Sequence, residues 1–255
     1  MGCASRRGFT VVELMAVLAV VAILAALVLP TASQGMVQAR RATCAGNLRQ
    51  MFVAYVSYLQ DHEGQFFPWV DKQADGDLWY WGFEPRGSGQ GEGARQIDRS
   101  QARLAPYLGE DTVETCPSFP YRSTHFKRKF DTSTYGYGLN VFLIQGTVEQ
   151  RASGVDRWGG VTLPAETLLW ADSAQINRFQ APASPSHPLL EEWYYIANRS
   201  SELPTTHFRH GGQTTTVFCD GAIRIMAPER LIGLCDGLVG RLEPPGQNHY
   251  LMTSR

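Results

Sequence analysis

The stretch that decides the fold is FTVVELMAVLAVVAILAALVL, which occupies residues 9–29 of a 255-residue chain. Thr10 and Glu13 are its only polar residues. An α-helix rises about 1.5 Å per residue, so the stretch spans roughly 30 Å, the thickness of the hydrocarbon core of a bilayer. The core of a soluble protein seldom supplies so long an apolar surface on every side of a helix. The sequence therefore predicts a membrane-spanning helix near the N-terminus.

The remainder of the chain has the composition of a folded domain. The whole sequence is 11% aromatic, with 23 basic and 24 acidic residues and a net charge of -1. This composition excludes a mostly disordered protein, and the near-zero charge argues against a nucleic-acid coat. The mean hydropathy of -0.21 is that of a soluble protein because it averages an apolar helix and a polar head. We expect no nucleic-acid partner.

Two kinds of export signal share features with this N-terminus. A cleavable secretory signal has basic residues, as at Arg6 and Arg7, but residues 28–33 (VLPTAS) form a poor small-residue cleavage site. A twin-arginine signal begins S-R-R-x-F, a pattern that residues 5–9 reproduce. Neither signal explains Glu13, because a carboxylate at the edge of an apolar membrane helix is unfavourable without a partner.

A resemblance to a known family lies in residues 6–14, RRGFTVVEL. This segment is similar to the class III signal of type IV prepilins and type II secretion pseudopilins. The resemblance implies that a prepilin peptidase cuts between Gly8 and Phe9 and methylates the new N-terminus at Phe9. It assigns Glu13 to the glutamate that this family carries four residues beyond the new N-terminus. It assigns Pro30 to the proline that kinks many pilin helices.

The charged residues around the apolar stretch have a physical role apart from the resemblance. Glu13 needs a cation, and the newly exposed N-terminal amine of a neighbouring subunit is one, so we expect subunits to stack with a fixed axial stagger. Arg6 and Arg7 precede the helix and orient it with the leader in the cytoplasm and the bulk of the chain outside. Pro30 removes one backbone hydrogen bond and predicts a kink as the helix leaves the membrane.

The helix is predicted to continue beyond the membrane as an amphipathic half. Apolar residues recur at spacings of three, four and seven between Val37 and Leu59, and Gly64 follows as a stop signal. The sequence therefore divides into a cleaved leader (1–8), a transmembrane assembly helix (9–30), an amphipathic helix (31–63) and a globular head (64–255).

The head is predicted to be rich in β-structure. Segments with the β-branched and aromatic bias of strands are residues 134–144, 166–171, 194–197, 214–219 and 222–226. Residues 71–100 are rich in Gly, Asp and Gln and are predicted to form a long surface excursion. The chain lacks βαβ alternation, so we expect an antiparallel sheet and an α+β fold with the long helix packed on the sheet.

A β-hairpin is predicted at residues 214–226, TTTVFCDGAIRIM. Asp220 and Gly221 tolerate positive φ, which predicts a two-residue turn. Nine residues separate His210 from Asp220, so the region 210–226 resembles the H-x9-DG signature of a group of bacterial prepilin-like proteins. That group commonly has His after Asp-Gly, where this chain has Ala222. Other segments similar to the group are Arg41-Ala42-Thr43-Cys44, Asn47-Leu48-Arg49-Gln50, Cys116-Pro117-Ser118, Tyr135-Gly136-Tyr137 before Asn140, and Trp170-Ala171-Asp172-Ser173.

The head contains candidate metal ligands in Asp172, His207, His210 and Asp220, because carboxylate and imidazole bind metal ions. The resemblance brings in Ca²⁺, since some major pseudopilins hold calcium in a C-terminal loop, but no dense acidic loop offers the several oxygen ligands that Ca²⁺ needs. The simpler interpretation is that Asp220 caps its own turn and His210 orients a loop through one hydrogen bond. We therefore expect no bound cofactor.

Four cysteines remain once the leader is removed, and an extracytoplasmic location permits disulfides between them. Cys44, Cys116, Cys219 and Cys235 allow three pairings, and their spacing does not choose among them. The sequence contains no G-x-S-x-G, no H-E-x-x-H and no phosphate-binding glycine loop between a strand and a helix, so no catalytic site is expected.

These features predict a pseudopilin or minor pilin held in the bacterial inner membrane by one span, with its head in the periplasm until it enters a filament. The resemblance implies three kinds of partner: a prepilin peptidase and methyltransferase, other pilins or pseudopilins, and an inner-membrane assembly platform. The filament would belong to a type II secretion-like or a type IV pilus-like apparatus. The alternative is a membrane-tethered or twin-arginine-exported periplasmic metal-binding protein or enzyme.

Overall fold

The computed structural model describes residues 10–89, 91–109, 113–199, 202–244, 247 and 249–251, and at residues 30, 31 and 33 it describes the backbone alone. The predicted leader and the predicted processing residues Gly8 and Phe9 lie outside the described residues. The chain divides into two compact units, residues 1–39 and 40–255.

The described residues form a long helix followed by many short elements. In chain order these are α1 (Val11–Asp61), β1 (Asp71–Lys72), β2 (Gly76–Trp79), β3 (Gly82–Pro85), a 3-10 turn (Arg99–Gln101), α2 (Ala105–Leu108), β4 (Phe126–Lys127), β5 (Tyr137–Asn140), a 3-10 turn (Val141–Leu143), α3 (Val148–Ser153), a 3-10 turn (Trp158–Gly160), β6 (Leu168–Asp172), β7 (Gln175–Asn177), β8 (Leu189–Glu191), β9 (Tyr195–Ile196), β10 (Thr206–His207), β11 (Thr214–Phe218), β12 (Ile223–Met226), β13 (Arg230–Leu231) and β14 (Val239–Arg241).

The predicted N-terminal helix is confirmed as α1, whose 51 residues continue through Pro30 without a break. Its first part is long and apolar enough to cross a membrane. The helix ends near the predicted stop, because Gly64 adopts a φ of +77° and its N–H donates to the carbonyl oxygen of Leu59 at 2.6 Å. Glycine adopts this left-handed conformation without steric strain, which makes it a common terminator.

The second part of α1 presents a buried apolar stripe to the head. Its fully or almost fully buried members are Cys44, Leu48, Met51, Tyr55 and Leu59, as the spacing predicts. Val37 is 36% exposed, so the predicted stripe starts too early and begins at Cys44 instead. Tyr55 shows what the stripe packs against, since its ring lies 5.1 Å from that of Trp170 in β6 and 4.8 Å from that of Phe67.

A five-stranded sheet with the order β12-β11-β6-β5-β9 forms the centre of the head. Its pairs are antiparallel except for β5 and β9, which are parallel. Strands β5, β6 and β11 are buried along their whole length, whereas β12 is an edge strand with partly exposed side chains. These three strands are buried on both faces of the sheet. α1 covers one side of Trp170 in β6, and other parts of the head cover the remaining surface of the strands. The predicted α+β fold is confirmed, with a mixed rather than a purely antiparallel sheet.

Three smaller sheets surround the central one, with the orders β1-β2-β3, β4-β8-β7 and β10-β14-β13. The first of them corrects the predicted surface excursion over residues 71–100. Strands β1 to β3 form an antiparallel meander, and Tyr80 and Trp81 in its turn are only 3% exposed. The hydroxyl of Tyr80 donates to the carbonyl oxygens of Tyr137 and Tyr194, so the meander is fixed to the core by a buried aromatic anchor.

Candidate functional sites

The first candidate site is the beginning of α1, where Thr10 and Glu13 form a reciprocal cap. The Thr10 hydroxyl accepts from the backbone N–H of Glu13 at 3.2 Å, and a Glu13 carboxylate oxygen accepts from the backbone N–H and the hydroxyl of Thr10, both at 2.8 Å. This is a capping box, which satisfies N–H groups that a helix start leaves without a partner. The T-x-x-E pattern of residues 10–13 is a sequence signature of this cap.

Around Glu13 the helix surface is apolar on every side. All large hydrophobic residues described between Val11 and Leu29 are more than half exposed within the monomer, for example Val11 at 73% and Leu29 at 69%. Glu13 is the only charged residue from Thr10 to Ala39. Such a surface requires lipid or other apolar helices as its surroundings.

The second candidate site is the predicted hairpin of β11 and β12, which is confirmed with a different turn. The register pairs Val217 with Ile223, and the N–H of Phe218 donates to the carbonyl oxygen of Ala222. Three residues (219–221) therefore form the loop instead of two, and Gly221 alone among them has a positive φ, +83°. A three-residue loop that ends in a left-handed glycine is a common hairpin connection.

The turn residues have structural roles. The Asp220 carboxylate accepts from the N–H of Ala222 at 2.9 Å, so this side chain caps its own turn, as the simpler interpretation predicts. A Cβ atom on Gly221 would lie 2.8 Å from Cε1 of Phe52 on α1. The glycine is therefore required both by its φ and by the close approach of the hairpin to the helix.

The third candidate site is a buried cluster that gathers residues from four segments of the head. We call Cys44, Cys116, Asp172 and His210 the buried cluster. Cys44 on α1 is joined by a disulfide to Cys116, with their Cα atoms 5.5 Å apart. His210 Nε2 lies 3.5 Å from Cys116 Sγ and 3.4 Å from Asp172 Oδ2. One donor atom from each of the four residues lies within 4.8 Å of the others.

Hydrogen bonds from the surrounding chain fix the position of Asp172 and His210. The carboxylate of Asp172 accepts from the N–H of Thr215 at 2.7 Å and lies 3.5 Å from Nε of Arg209. Burial raises the pKa of Asp172, but the guanidinium of Arg209 and the imidazole of His210 outweigh burial and leave that pKa below its usual value. Arg209 in turn donates to the carbonyl oxygens of Gly136 and Ser173.

The segments that resemble the H-x9-DG group meet around this cluster. Arg41 donates to the carbonyl oxygen of His210 and to the side chain of Gln213. Asn47 donates to the hydroxyl of Tyr137 and to the backbone carbonyl oxygen of Glu114, two residues before Cys116. The sequence leaves three ways to pair its four cysteines in two disulfides, but the described residues form one disulfide, Cys44–Cys116, and Cys219 and Cys235 are free thiols.

The four predicted metal ligands do not form one site. Asp172 and His210 lie together in the buried cluster, but Asp220 is exposed at the hairpin turn. His207 is buried elsewhere, and its Nε2 lies 2.8 Å from Oδ2 of Asp236. The candidate ligands are therefore divided among three places in the fold, and closeness in sequence, as between His207 and His210, does not bring side chains together because successive residues point in different directions. The members of the buried cluster that the sequence did not single out as candidate ligands are Cys44 and Cys116.

The dyad of His207 and Asp236 predicts an acid-sensitive head. Burial lowers the pKa of His207 below its ordinary value of about 6.5, and the hydrogen bond to Asp236 only partly opposes burial. Below about pH 6.5, His207 binds a proton in the unfolded chain more readily than in the folded chain. The free energy of unfolding should therefore fall as the pH drops below this value, by at most about 1.4 kcal/mol per pH unit. The pKa of Asp236 is lowered as well, so its contribution is lost at still lower pH.

This pH dependence is measured by denaturant unfolding of the detergent-solubilised chain, in steps of about half a pH unit between pH 7.5 and pH 5. In a His207→Gln chain the slope over this range should be flatter, whatever its stability at pH 7.5. A His125→Gln chain, altered at an exposed histidine, should keep the original slope. Equal slopes in the native and His207→Gln chains would contradict the assignment.

Comparison with known proteins gives one finding. A family model described as a prokaryotic N-terminal methylation motif matches residues 3–29, which include Gly8, Phe9 and Glu13. No curated protein and no solved structure matches the chain. The N-terminal segment is therefore that of a prepilin-like precursor of the type IV pilin and pseudopilin type. This motif implies processing by a prepilin peptidase and assembly with other pilins, and together with the apolar helix it fits anchoring in the inner membrane.

Proposed function

We propose that the chain is a pseudopilin or minor-pilin-like subunit of a type II secretion-like or type IV pilus-like filament, with a mechanical role and no catalysis of its own. A prepilin peptidase cuts between Gly8 and Phe9 and methylates Phe9. The mature subunit is held in the inner membrane by α1 until an assembly platform extrudes it into the filament. The observation that carries the proposal is a methylation motif that overlaps an apolar stretch, residues 9–29, in which Glu13 is the single charge.

The buried cluster supports a place in the H-x9-DG group of prepilin-like proteins. The segments that resemble this group are far apart in the sequence, yet Arg41, Cys116 and Asp172 all contact His210, and Cys116 is bonded to Cys44. A shared structural role for these residues explains why the segments occur together. Under this interpretation His210 and Asp220 stabilise the fold of the head, and neither takes part in catalysis.

The alternative, an exported periplasmic enzyme or metal-binding protein, draws less support from the same residues. It relied on His207, His210, Asp172 and Asp220 acting together. His207 is paired with Asp236, and Asp220 is occupied by its own turn. The twin-arginine route also gives no role to the charge of Glu13 beyond the cap that this side chain forms with Thr10.

The proposal is tested by the mass and sequence of the mature N-terminus. The chain is expressed with a prepilin peptidase in a bacterial membrane and analysed by intact mass spectrometry and N-terminal peptide sequencing. We expect loss of residues 1–8 and one added methyl group on Phe9. In a Gly8→Val control the leader should be retained, since the resemblance places the cut after a glycine.

Two results would contradict the proposal. An uncut chain in the presence of active peptidase would remove the basis for assembly. A mature chain that begins near Ser33 would indicate a cleaved secretory signal and a released head. Either result would favour the exported alternative.

A further inference from the structure

We propose that the buried cluster has a second state besides the disulfide-bonded one. In this state the disulfide is reduced, and Cys44, Cys116, Asp172 and His210 bind a zinc ion. The donor atoms are two sulfurs, one imidazole nitrogen and one carboxylate oxygen, all within 4.8 Å of one another. Each of the four residues is at most 2% exposed. The inference goes beyond the proposed function and does not depend on it.

The chemistry of the four donors selects the class of metal. Thiolate, imidazole and carboxylate are all ligands that bind Zn²⁺, and four protein ligands are the number that structural zinc sites have. Ca²⁺ and Mg²⁺ require oxygen ligands and are excluded by the two sulfurs. Four protein ligands leave no open coordination position, so the predicted site stabilises the fold and has no catalytic role.

The orientation of His210 fits a ligand. Its Nε2 faces both Cys116 Sγ, at 3.5 Å, and Asp172 Oδ2, at 3.4 Å. Its Nδ1 is buried with no hydrogen-bond partner among the described residues. Asp172 is held in place by Thr215 and Arg209, so the oxygen that faces His210 does not depend on the metal for its position.

The buried charges balance in both states. With the disulfide formed, the carboxylate of Asp172 is matched by the guanidinium of Arg209, 3.5 Å away. In the reduced state two thiolates add two negative charges, and a divalent cation adds two positive ones. Neither state therefore leaves a net charge buried in the head, which would be strongly unfavourable.

The exchange between the two states is a two-electron step. A phosphine reductant transfers two electrons to the disulfide, takes an oxygen atom from water and becomes the phosphine oxide, and Cys44 and Cys116 become thiols. Binding of Zn²⁺ releases the two thiol protons. A disulfide reagent takes two electrons from the two thiolates and is itself reduced to two thiolates, so the bond between Cys44 and Cys116 re-forms and the metal is released.

The test uses the full chain with Cys3, Cys219 and Cys235 replaced by serine, so that the paired cysteines are the only thiols. The chain is produced and purified in detergent under anaerobic, reducing conditions and titrated with Co²⁺. We expect one Co²⁺ per chain, with thiolate-to-cobalt charge-transfer absorption and the visible bands of tetrahedral cobalt, and displacement of Co²⁺ by Zn²⁺. The same chain with its disulfide formed should bind neither ion.

The remaining ligands are tested by His210→Gln and Asp172→Asn, each of which should weaken Zn²⁺ affinity at least about tenfold and alter the cobalt spectrum. Asp220→Asn is the matched control, because Asp220 was a candidate ligand that lies outside the cluster, and it should bind like the parent chain. Near-ultraviolet circular dichroism monitors folding throughout. A reduced chain that loses its tertiary signal and regains it with Zn²⁺ supports the proposal.

Three results would overturn the proposal. The first is a folded, reduced chain that shows no charge-transfer band on addition of Co²⁺. The second is a reduced chain that unfolds and does not recover its tertiary signal with Zn²⁺. Equal metal binding by the parent, His210→Gln and Asp172→Asn chains would show that the two thiolates bind metal without the rest of the cluster.

Discussion

Replacement of Glu13 by alanine should leave removal of the leader intact and lower incorporation of the subunit into filaments at least about tenfold. The proposed function places the cut in the segment before the helix and the carboxylate on the apolar surface that would contact neighbouring subunits. Without the carboxylate, the N-terminal amine of the next subunit has no partner in an apolar environment. Incorporation is measured as the fraction of mature chain in sheared filaments against the fraction in membranes, and cleavage by intact mass.

The capping box makes a sharper version of this experiment possible. Glu13→Gln retains an oxygen that can accept from the N–H of Thr10, so it keeps the cap and removes the charge. Thr10→Val keeps the charge and removes the hydroxyl that caps Glu13. If the charge directs assembly, Glu13→Gln should fail like Glu13→Ala, and Thr10→Val should assemble. The opposite pattern, assembly of Glu13→Gln and failure of Thr10→Val, would show that Glu13 acts through the helix start.

Removal of the disulfide should lower the free energy of unfolding of the head by about 4 kcal/mol. The bond closes a loop with a sequence separation of 72 residues, and the loss of loop-closure entropy in the unfolded chain predicts a value of this size. The Cys44→Ala, Cys116→Ala chain is compared with the native chain by denaturant unfolding in detergent, with a chelator present. Addition of a reductant to the native chain should give a similar loss.

Cys235→Ala is the matched control for the disulfide experiment, because Cys235 is a free, partly buried thiol in the same head. We expect it to change the free energy of unfolding by less than about 1 kcal/mol. A double variant no less stable than this control would contradict a stabilising role for the bond.

The sequence was most informative where one pattern repeats over many residues. The apolar stretch and the stripe from Cys44 to Leu59 predict α1 nearly to its last residue, because each turn of a helix repeats the same signal. Strands β5, β6, β9, β11 and β12 were also predicted, since their β-branched and aromatic residues come in runs. By contrast, β7, β8, β10, β13 and β14 have two or three residues each, which is too short for a period-two pattern to emerge.

The errors have a common physical origin in tertiary contacts. Residues 71–85 have the Gly and Asp content of a surface loop, yet Tyr80 and Trp81 hold them in the core through buried area and two hydrogen bonds. The buried cluster takes its members from positions 44, 116, 172 and 210. Nothing local in the sequence marks these positions as neighbours, because the order of the strands in the central sheet brings them together.

The bond between Cys44 and Cys116 also has a mechanical consequence if the proposed function is right. A subunit of the proposed filament would be pulled along α1, and a pull from the N-terminal side would reach Cys44 before it reaches Leu48, Tyr55 or Leu59 of the buried stripe. Under such a load, the apolar side chains along the helix would lose their contacts with the head one after another. Because the disulfide is the first of these attachments along α1, we expect the head to stay attached to the helix at loads that would separate the apolar stripe from the head.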